Sequence, residues 1–274
     1  MRLRPDDLAA RIDLLARQWD TLRDWVGTAV TVRERGSASV LDGWTVAELV
    51  AHLGRAMEAL AVCEPAPEGT VPATLAEYLG GYAGRAADIA AVTRDLAEEI
   101  ADDPLRQVDE RARAALARAR ELGPEDRVVL ARRGPVLLST MLASRITELV
   151  VHADDLQRSL ARSRGAAPGS RAELGDGIGP LPGVPGGLGP IGGLGDGVQS
   201  GGPIDGDALD LVARELLTIV VARGGWDLEV AQPLTWVRLA AGRVPYDVDV
   251  MAAALVPRFS SDAVPDLGRM LPVL

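Results

Sequence analysis

The stretch Gly43-Trp-Thr-Val-Ala-Glu-Leu-Val-Ala-His-Leu53 decides the fold class of this chain. Thr45 followed three residues later by Glu48 is a capping box, in which a hydroxyl and a carboxylate satisfy the free amides of a helix start. Val46, Leu49, Val50 and Leu53 then recur at the 3.6-residue period of an amphipathic helix. The pattern predicts a helix over Val46–Val62, ending at Glu64-Pro65. Three further stretches carry the same period, near Asp6–Arg33, Thr74–Ala101 and Pro135–Ser163. Four helices of that length predict a bundle. A shorter run, Asp109–Leu122, reads as a connecting helix whose even mix of Arg, Ala and Glu makes a solvated face.

Composition agrees with a mainly α chain. Aromatic residues make up 3% and hydrophobic residues 47%, so Ala, Leu and Val must build the core, and an all-β sandwich is disfavoured. The 274 residues allow one large domain or two ordinary ones. Lys+Arg number 29 against 39 Asp+Glu, and the net charge of −10 argues against a nucleic-acid partner bound through its phosphates. All the basic residues are Arg, which excludes lysine chemistry. A single cysteine, Cys63, excludes an internal disulfide framework and a Cys-rich zinc module, and fits a reducing cytosol. No stretch reaches the roughly 18 uninterrupted apolar residues of a membrane span. Met1–Leu15 alternates charge with Leu and Ala and lacks the apolar core of a signal peptide. A cytoplasmic protein is expected.

Between Gly165 and Gly206 lie 16 of the 30 glycines, interleaved with prolines. Such a segment buries too little apolar surface to offset its ordering and is expected to be a disordered linker. The chain thus divides into a bundle over 1–164, a linker over 165–206 and a C-terminal unit over 207–274. In the last unit, Ala208–Arg223 and Leu234–Ala241 read as helices and Trp226–Val230 as a strand. About 70 residues is near the lower limit for an independent core, so this unit is expected to lean on the bundle.

The chemistry concentrates around the two histidines. In Ser144-Arg-Ile-Thr-Glu-Leu-Val-Val-His-Ala-Asp-Asp-Leu156, His152 follows Glu148 by four residues, so both project from one helix face about one turn apart. Asp155 continues that face, and Arg145 precedes Glu148 by three residues. His52, two turns inside the helix begun by Thr45, would meet this pair in an antiparallel bundle. Two imidazoles and a carboxylate suit Zn²⁺ with an open position, or a non-haem Fe(II) site. Each residue also has a plainer reading, as a hydrogen-bonded core histidine or a surface ion pair. Cys63 lies roughly 16 Å from His52 along a helix axis, too far to share a metal. Ser139 and Ser144 have no histidine–acid arrangement of a serine hydrolase.

Gly43-Trp44-Thr45-Val46 with His52, followed by Arg145-x2-Glu148-x3-His152-x2-Asp155-Leu156, resembles the mycothiol-dependent maleylpyruvate isomerase family of the DinB-like four-helix-bundle superfamily, over roughly residues 5–164. Gln232–Arg243 and Asp266–Leu274 resemble a shortened bacterial sterol-carrier-like domain. The first resemblance implies a divalent metal, usually zinc, on His52, Glu148 and His152, and mycothiol as thiol cofactor. It implies isomerase or S-transferase chemistry on a small electrophile, a cis-enedione acid in the isomerase itself. Asp155 is then the partner orienting an imidazole, and Arg145 an anion or Glu partner that helps bind the cofactor. In the isomerase a C-terminal basic residue contributes to activity; no position here aligns with it, and Arg238 and Arg243 fall within the carrier-like stretch. The alternative is a noncatalytic carrier of an apolar ligand held between bundle and C-terminal unit, with a structural metal or none. Ala-Leu helix faces would allow a homodimer.

Overall fold

The computed structural model describes residues 5–81, 83–165, 201–224, 226–258 and 266–274. Helix α1 (Pro5–Ala29) buries Leu8, Ile12, Leu15, Trp19, Leu22 and Val26, an unbroken stripe of three- and four-residue steps. After the single turn α2 (Val32–Arg35), α3 (Val46–Ala61) begins at the capping box expected from the sequence. Thr45 N donates to Glu48 Oε2 at 2.6 Å, and Glu48 N donates to Thr45 Oγ1 at 3.2 Å. A short strand, β1 (Glu64–Pro65), leads to α4 (Leu75–Gly80), a 3₁₀ turn (Ala83–Arg85) and α5 (Ala86–Glu99). Then come α6 (Pro104–Glu121), the hairpin β2 (Val128–Ala131) and β3 (Gly134–Leu137), and the long helix α7 (Leu138–Gly165).

The four helices that close the bundle are α1, α3, α6 and α7, each of α1 and α3 packing on both α6 and α7. This corrects two expectations. Asp109–Leu122, read as a solvated connector, belongs to the longer α6 and is a wall of the core, with Val108, Ala112, Ala115 and Ala119 fully buried. Its buried face is mostly alanine, which adds little apolar signal among Arg and Glu yet lets helices approach closely. Gly54 of α3 serves the same approach, since a Cβ there would meet Val108 Cγ2 at 3.2 Å. Trp19 Nε1 donates to Asp109 Oδ1 at 2.9 Å and ties α1 to the same helix.

The stretch Thr74–Ala101 is the second correction. Gly80 and Gly81, poor helix formers, divide it into α4 and α5, and α5 lies against α3 burying only Thr93 and Leu96. Likewise Pro135–Leu137 is strand rather than helix, paired antiparallel with β2 while β1 pairs along the other side of β2. Helix α7 starts where Asp126 accepts from Ser139 N at 2.8 Å and Ser139 Oγ at 2.7 Å. It is buried on all sides from Met141 to Leu156, as a central helix must be.

The stretch 165–206 read as a linker falls largely outside the described residues. At 201–206 the chain is anchored to α1: buried Gln18 donates to Pro203 O at 3.0 Å and accepts from Asp205 N at 2.9 Å. Helices α8 (Gly206–Gly224), α9 (Pro233–Ala240) and α10 (Val248–Ala254) surround a two-stranded ribbon of β4 (Leu228–Val230) and β5 (Leu255–Pro257). Their core holds Trp236, whose Nε1 donates to Ala213 O at 3.0 Å. Helix α8 packs on α1 and α7, so this unit leans on the bundle, and Arg11 pairs with Glu215 across the seam at 2.6 Å. The fold is mainly α, a four-helix bundle followed by a small α+β unit. No described helix is long and apolar enough to cross a membrane.

Candidate metal centre

Packing of α3 against α7 brings together the three residues singled out in the sequence. One donor atom from each of His52, Glu148 and His152 lies within 4.8 Å of the others, and all three side chains are buried. His52 Nε2 and His152 Nε2 each stand 3.3 Å from the same oxygen, Glu148 Oε2. The two imidazole rings are 4.7 Å apart and nearly perpendicular, at 85°. Metal–ligand bonds of about 2.0–2.1 Å in a tetrahedral set place neighbouring donors about 3.3 Å apart. The two separations from Glu148 Oε2 have that spacing, and the donor chemistry, two imidazoles and one carboxylate, fits a divalent ion.

The far sides of the rings are held differently. His152 Nδ1 is 3.0 Å from Asp155 Oδ2, which leaves Nε2 as the lone-pair nitrogen when Nδ1 carries the proton. Asp155 is fully buried and receives Arg243 Nε at 3.0 Å on both carboxylate oxygens. Behind His52 stand the edge of Trp44, 5.2 Å between ring centres, and Thr93 Oγ1 at 3.5 Å from Nδ1. Trp44 reaches that position because Gly43, at φ +76°, reverses the chain just before the helix.

These surroundings separate the two histidines electrostatically. Burial drives His52 below the ordinary imidazole range, and its contact with Glu148 offsets this only in part. Burial acts the same way on His152, but the contacts with Asp155 and Glu148 outweigh it and raise the ring above that range. For Glu148 burial favours the neutral acid, but hydrogen bonds from both histidines and the charge of Arg145 hold it well below the usual carboxylate range. Asp155 is lowered too, with His152 and Arg243 overcoming its burial. The centre is thus an ionised carboxylate between a readily neutral imidazole and a basic one.

Arg145 is buried beside this group, donating from Nη1 to Ala56 O on α3 at 2.6 Å. Arg238 and Arg243, both in the carrier-like stretch of the sequence, take different places. Arg238 grips Asp154 through two hydrogen bonds of 2.9 and 2.6 Å and fastens the C-terminal unit to α7. Arg243 enters the centre itself. Thr93 and Tyr78 are additions that no local pattern marked. Cys63 is a core residue, its thiol donating to Ala59 O at 3.3 Å and pushed up to about 11 by burial. Ser144 Oγ donates to Met141 O, and Ser139 Oγ donates to Asp126 at the start of α7.

Two clefts meet at His52 and Glu148. One, of about 450 Å³, is lined by arginines together with Tyr78, Val92 and Thr93. The other, of about 330 Å³, runs between bundle and C-terminal unit past Leu41, Trp44, Leu79, Val151 and Leu274, with His152 and Arg243 at its inner end.

The sequence profile of the mycothiol maleylpyruvate isomerase N-terminal domain matches residues 15–157, more than half of the chain and all of the candidate ligands. The chain belongs to that family. Within it, a crystal structure of the mycothiol-dependent maleylpyruvate isomerase is similar at 21% identity and a TM-score of 0.39. That similarity covers 56% of this chain and 63% of the other, so less than two thirds of that isomerase is matched. No curated protein matches the chain in sequence. The family match ends before the C-terminal unit, where Arg243 arises.

Proposed function

We propose that this protein binds one divalent metal, best served by zinc, through His52 Nε2, a Glu148 oxygen and His152 Nε2. It would use the site for mycothiol-dependent isomerase or S-transferase chemistry on a small electrophile. The observation that carries the proposal is the convergence of three buried donors within 4.8 Å of one another, each imidazole nitrogen 3.3 Å from one Glu148 oxygen, beside two clefts. When bound, such a metal supplies Lewis acidity and favours the thiolate form of a coordinated thiol at neutral pH.

The chain's own residues do the rest. Asp155 holds the His152 proton on Nδ1, and Arg243 fixes Asp155 in turn. Hydrogen bonds from both histidines, with the charge of Arg145 behind them, keep Glu148 ionised against its burial. Trp44 packs its edge against His52 and lines the second cleft beside it. The apolar groove that a carrier would need is present between bundle and C-terminal unit, but it opens onto His52, Glu148 and His152. It therefore serves the same site better than a separate lipid site.

The test is metal content by plasma mass spectrometry on protein prepared without a histidine tag, beside His52→Ala and Glu148→Ala. About one zinc per chain, lost in both variants, is the expected result, together with thiol-dependent turnover of a cis-enedione acid. A folded wild type without metal after zinc dialysis overturns the proposal.

A further inference from the structure

We propose that the larger cleft beside the metal centre is an anion-binding subsite, which takes the carboxylate or phosphate group of the small-molecule ligand. Arginines from four separate segments converge on it: Arg55 and Arg145 from α3 and α7, Arg85 from the 3₁₀ turn, and Arg132 with Arg133 from the β2–β3 turn. Facing these five guanidinium groups are the carboxylates of Asp88 and Glu148, with Glu58 at the rim. The cleft is therefore a positive region in a chain whose net charge is −10. A concave surface of one sign concentrates oppositely charged ligands.

The β2–β3 turn gives an independent reason. Ala131 pairs with Gly134, so Arg132 and Arg133 are the whole of a two-residue hairpin loop. Such loops favour Asn, Asp and Gly for their backbone freedom. Here the positive φ falls on Gly134, at +115°, which leaves the two turn positions to carry the long side chains of Arg132 and Arg133. Both side chains reach the cleft. The Arg133 guanidinium carbon stands over the Tyr78 ring, 4.0 Å from its centre, and Arg132 Nη2 shares Glu58 Oε2 with Arg55, at 3.1 Å from Arg132. Stacking and sharing of this kind orient the planar forks before a ligand arrives, and the fork geometry matches carboxylate and phosphate.

Position supplies the functional sense. The cleft's inner wall includes His52 and Glu148, so a molecule held by its anionic end at the arginines directs its other end to the metal centre. Only this last point, the direction of the reactive end, rests on the proposed metal reading. A volume of about 450 Å³ accommodates a small metabolite and not a macromolecule.

Calorimetric titration of succinate and of inorganic phosphate into metal-free and zinc-loaded protein tests the subsite. The wild type is compared with Arg85→Glu/Arg132→Glu and His52→Ala, and zinc content is measured on every sample. Arg85 and Arg132 are exposed, and the single variants Arg85→Gln and Arg132→Gln provide the comparison if the double reversal misfolds by circular dichroism. The expected result is binding to both forms, weakened at least about tenfold by the double reversal and about threefold by each Gln variant, with zinc retained. The tighter ligand of the two identifies the anionic group. Equal binding in wild type and arginine variants overturns the subsite, as does anion binding lost in His52→Ala but kept in the arginine variants, which puts the anion on the metal. Failure of the metal reading shows separately, as absent zinc with arginine-dependent anion binding intact.

Discussion

The two walls of the candidate metal centre are built from different materials. On the α7 wall, Glu148, His152 and Asp155 follow one another along a single helix face, and Arg243 closes the row from the C-terminal unit. On the α3 wall His52 stands alone, supported by an aromatic edge and a hydroxyl at 3.5 Å. One wall is an ordered chain of charge; the other is a neutral ligand in an apolar setting. The contrast teaches that two imidazoles in one site can be given opposite proton affinities by what lies behind them, with the metal-facing atoms arranged alike.

The largest effect should come from the residue shared by both walls. Glu148→Gln removes the only anionic donor of the set, and zinc is expected to be absent from the purified variant by plasma mass spectrometry. Retention of a full equivalent would show that the two histidines suffice and that the walls are not joined through Glu148.

Next comes the support behind His152. Asp155→Asn keeps the shape but loses the charge, and competition with a chromophoric chelator should show zinc affinity lower by about 10–100-fold. Thr93→Val, the counterpart behind His52, should change affinity by less than about threefold. Equal losses from both substitutions would erase the difference between the walls. Arg243→Gln should fall between them, because Asp155 stays in place but loses its partner.

Titration of the imidazole resonances in metal-free protein sharpens the same contrast. His152 should hold its proton to a pH above the ordinary imidazole value of about 6.5, and His52 should already be neutral below it. The linked stabilities have opposite signs. The raised affinity of His152 contributes below its unfolded value and is lost as pH rises through the folded one; the lowered affinity of His52 contributes at high pH and is lost on acidification. Asp155→Asn weakens the first and leaves the second, so urea unfolding of that variant should gain stability with rising pH more steeply than the wild type. A parallel pH dependence in both proteins would refute the assignment.

The smallest expected effect lies away from both walls. Cys63, buried and pushed up to about 11, should resist iodoacetamide at pH 7.5 in the folded protein and react after denaturation, as mass spectrometry would show. Zinc loading should leave that protection unchanged.

Much of this architecture was legible in one dimension. The capping box at Thr45 and Glu48, the stripe along α1 and the spacing of Glu148, His152 and Asp155 are local properties, because helical periodicity relates residues three and four apart without reference to the rest of the chain. The family profile, over residues 15–157, spans Thr45, Glu48, Glu148, His152 and Asp155. Where local reading failed, the cause was also physical. The alanine face of α6 carries almost no hydropathy contrast, and the Gly80-Gly81 break in the third helical stretch was hidden by apolar residues continuing on both sides.

By itself, then, the sequence determined α1, α3, the donor types and the row of candidate ligands on α7, all set by the geometry of a single helical turn. Only the tertiary structure decided that His52 meets Glu148 across 96 residues of chain, that α6 rather than α5 closes the bundle, and that Arg243 and not Arg238 backs Asp155. It also decided that arginines from four segments share one cleft. These outcomes depend on which faces bury each other and in what register, and that is a property of the packed whole, where burial and close approach choose among pairings that local propensity leaves equal.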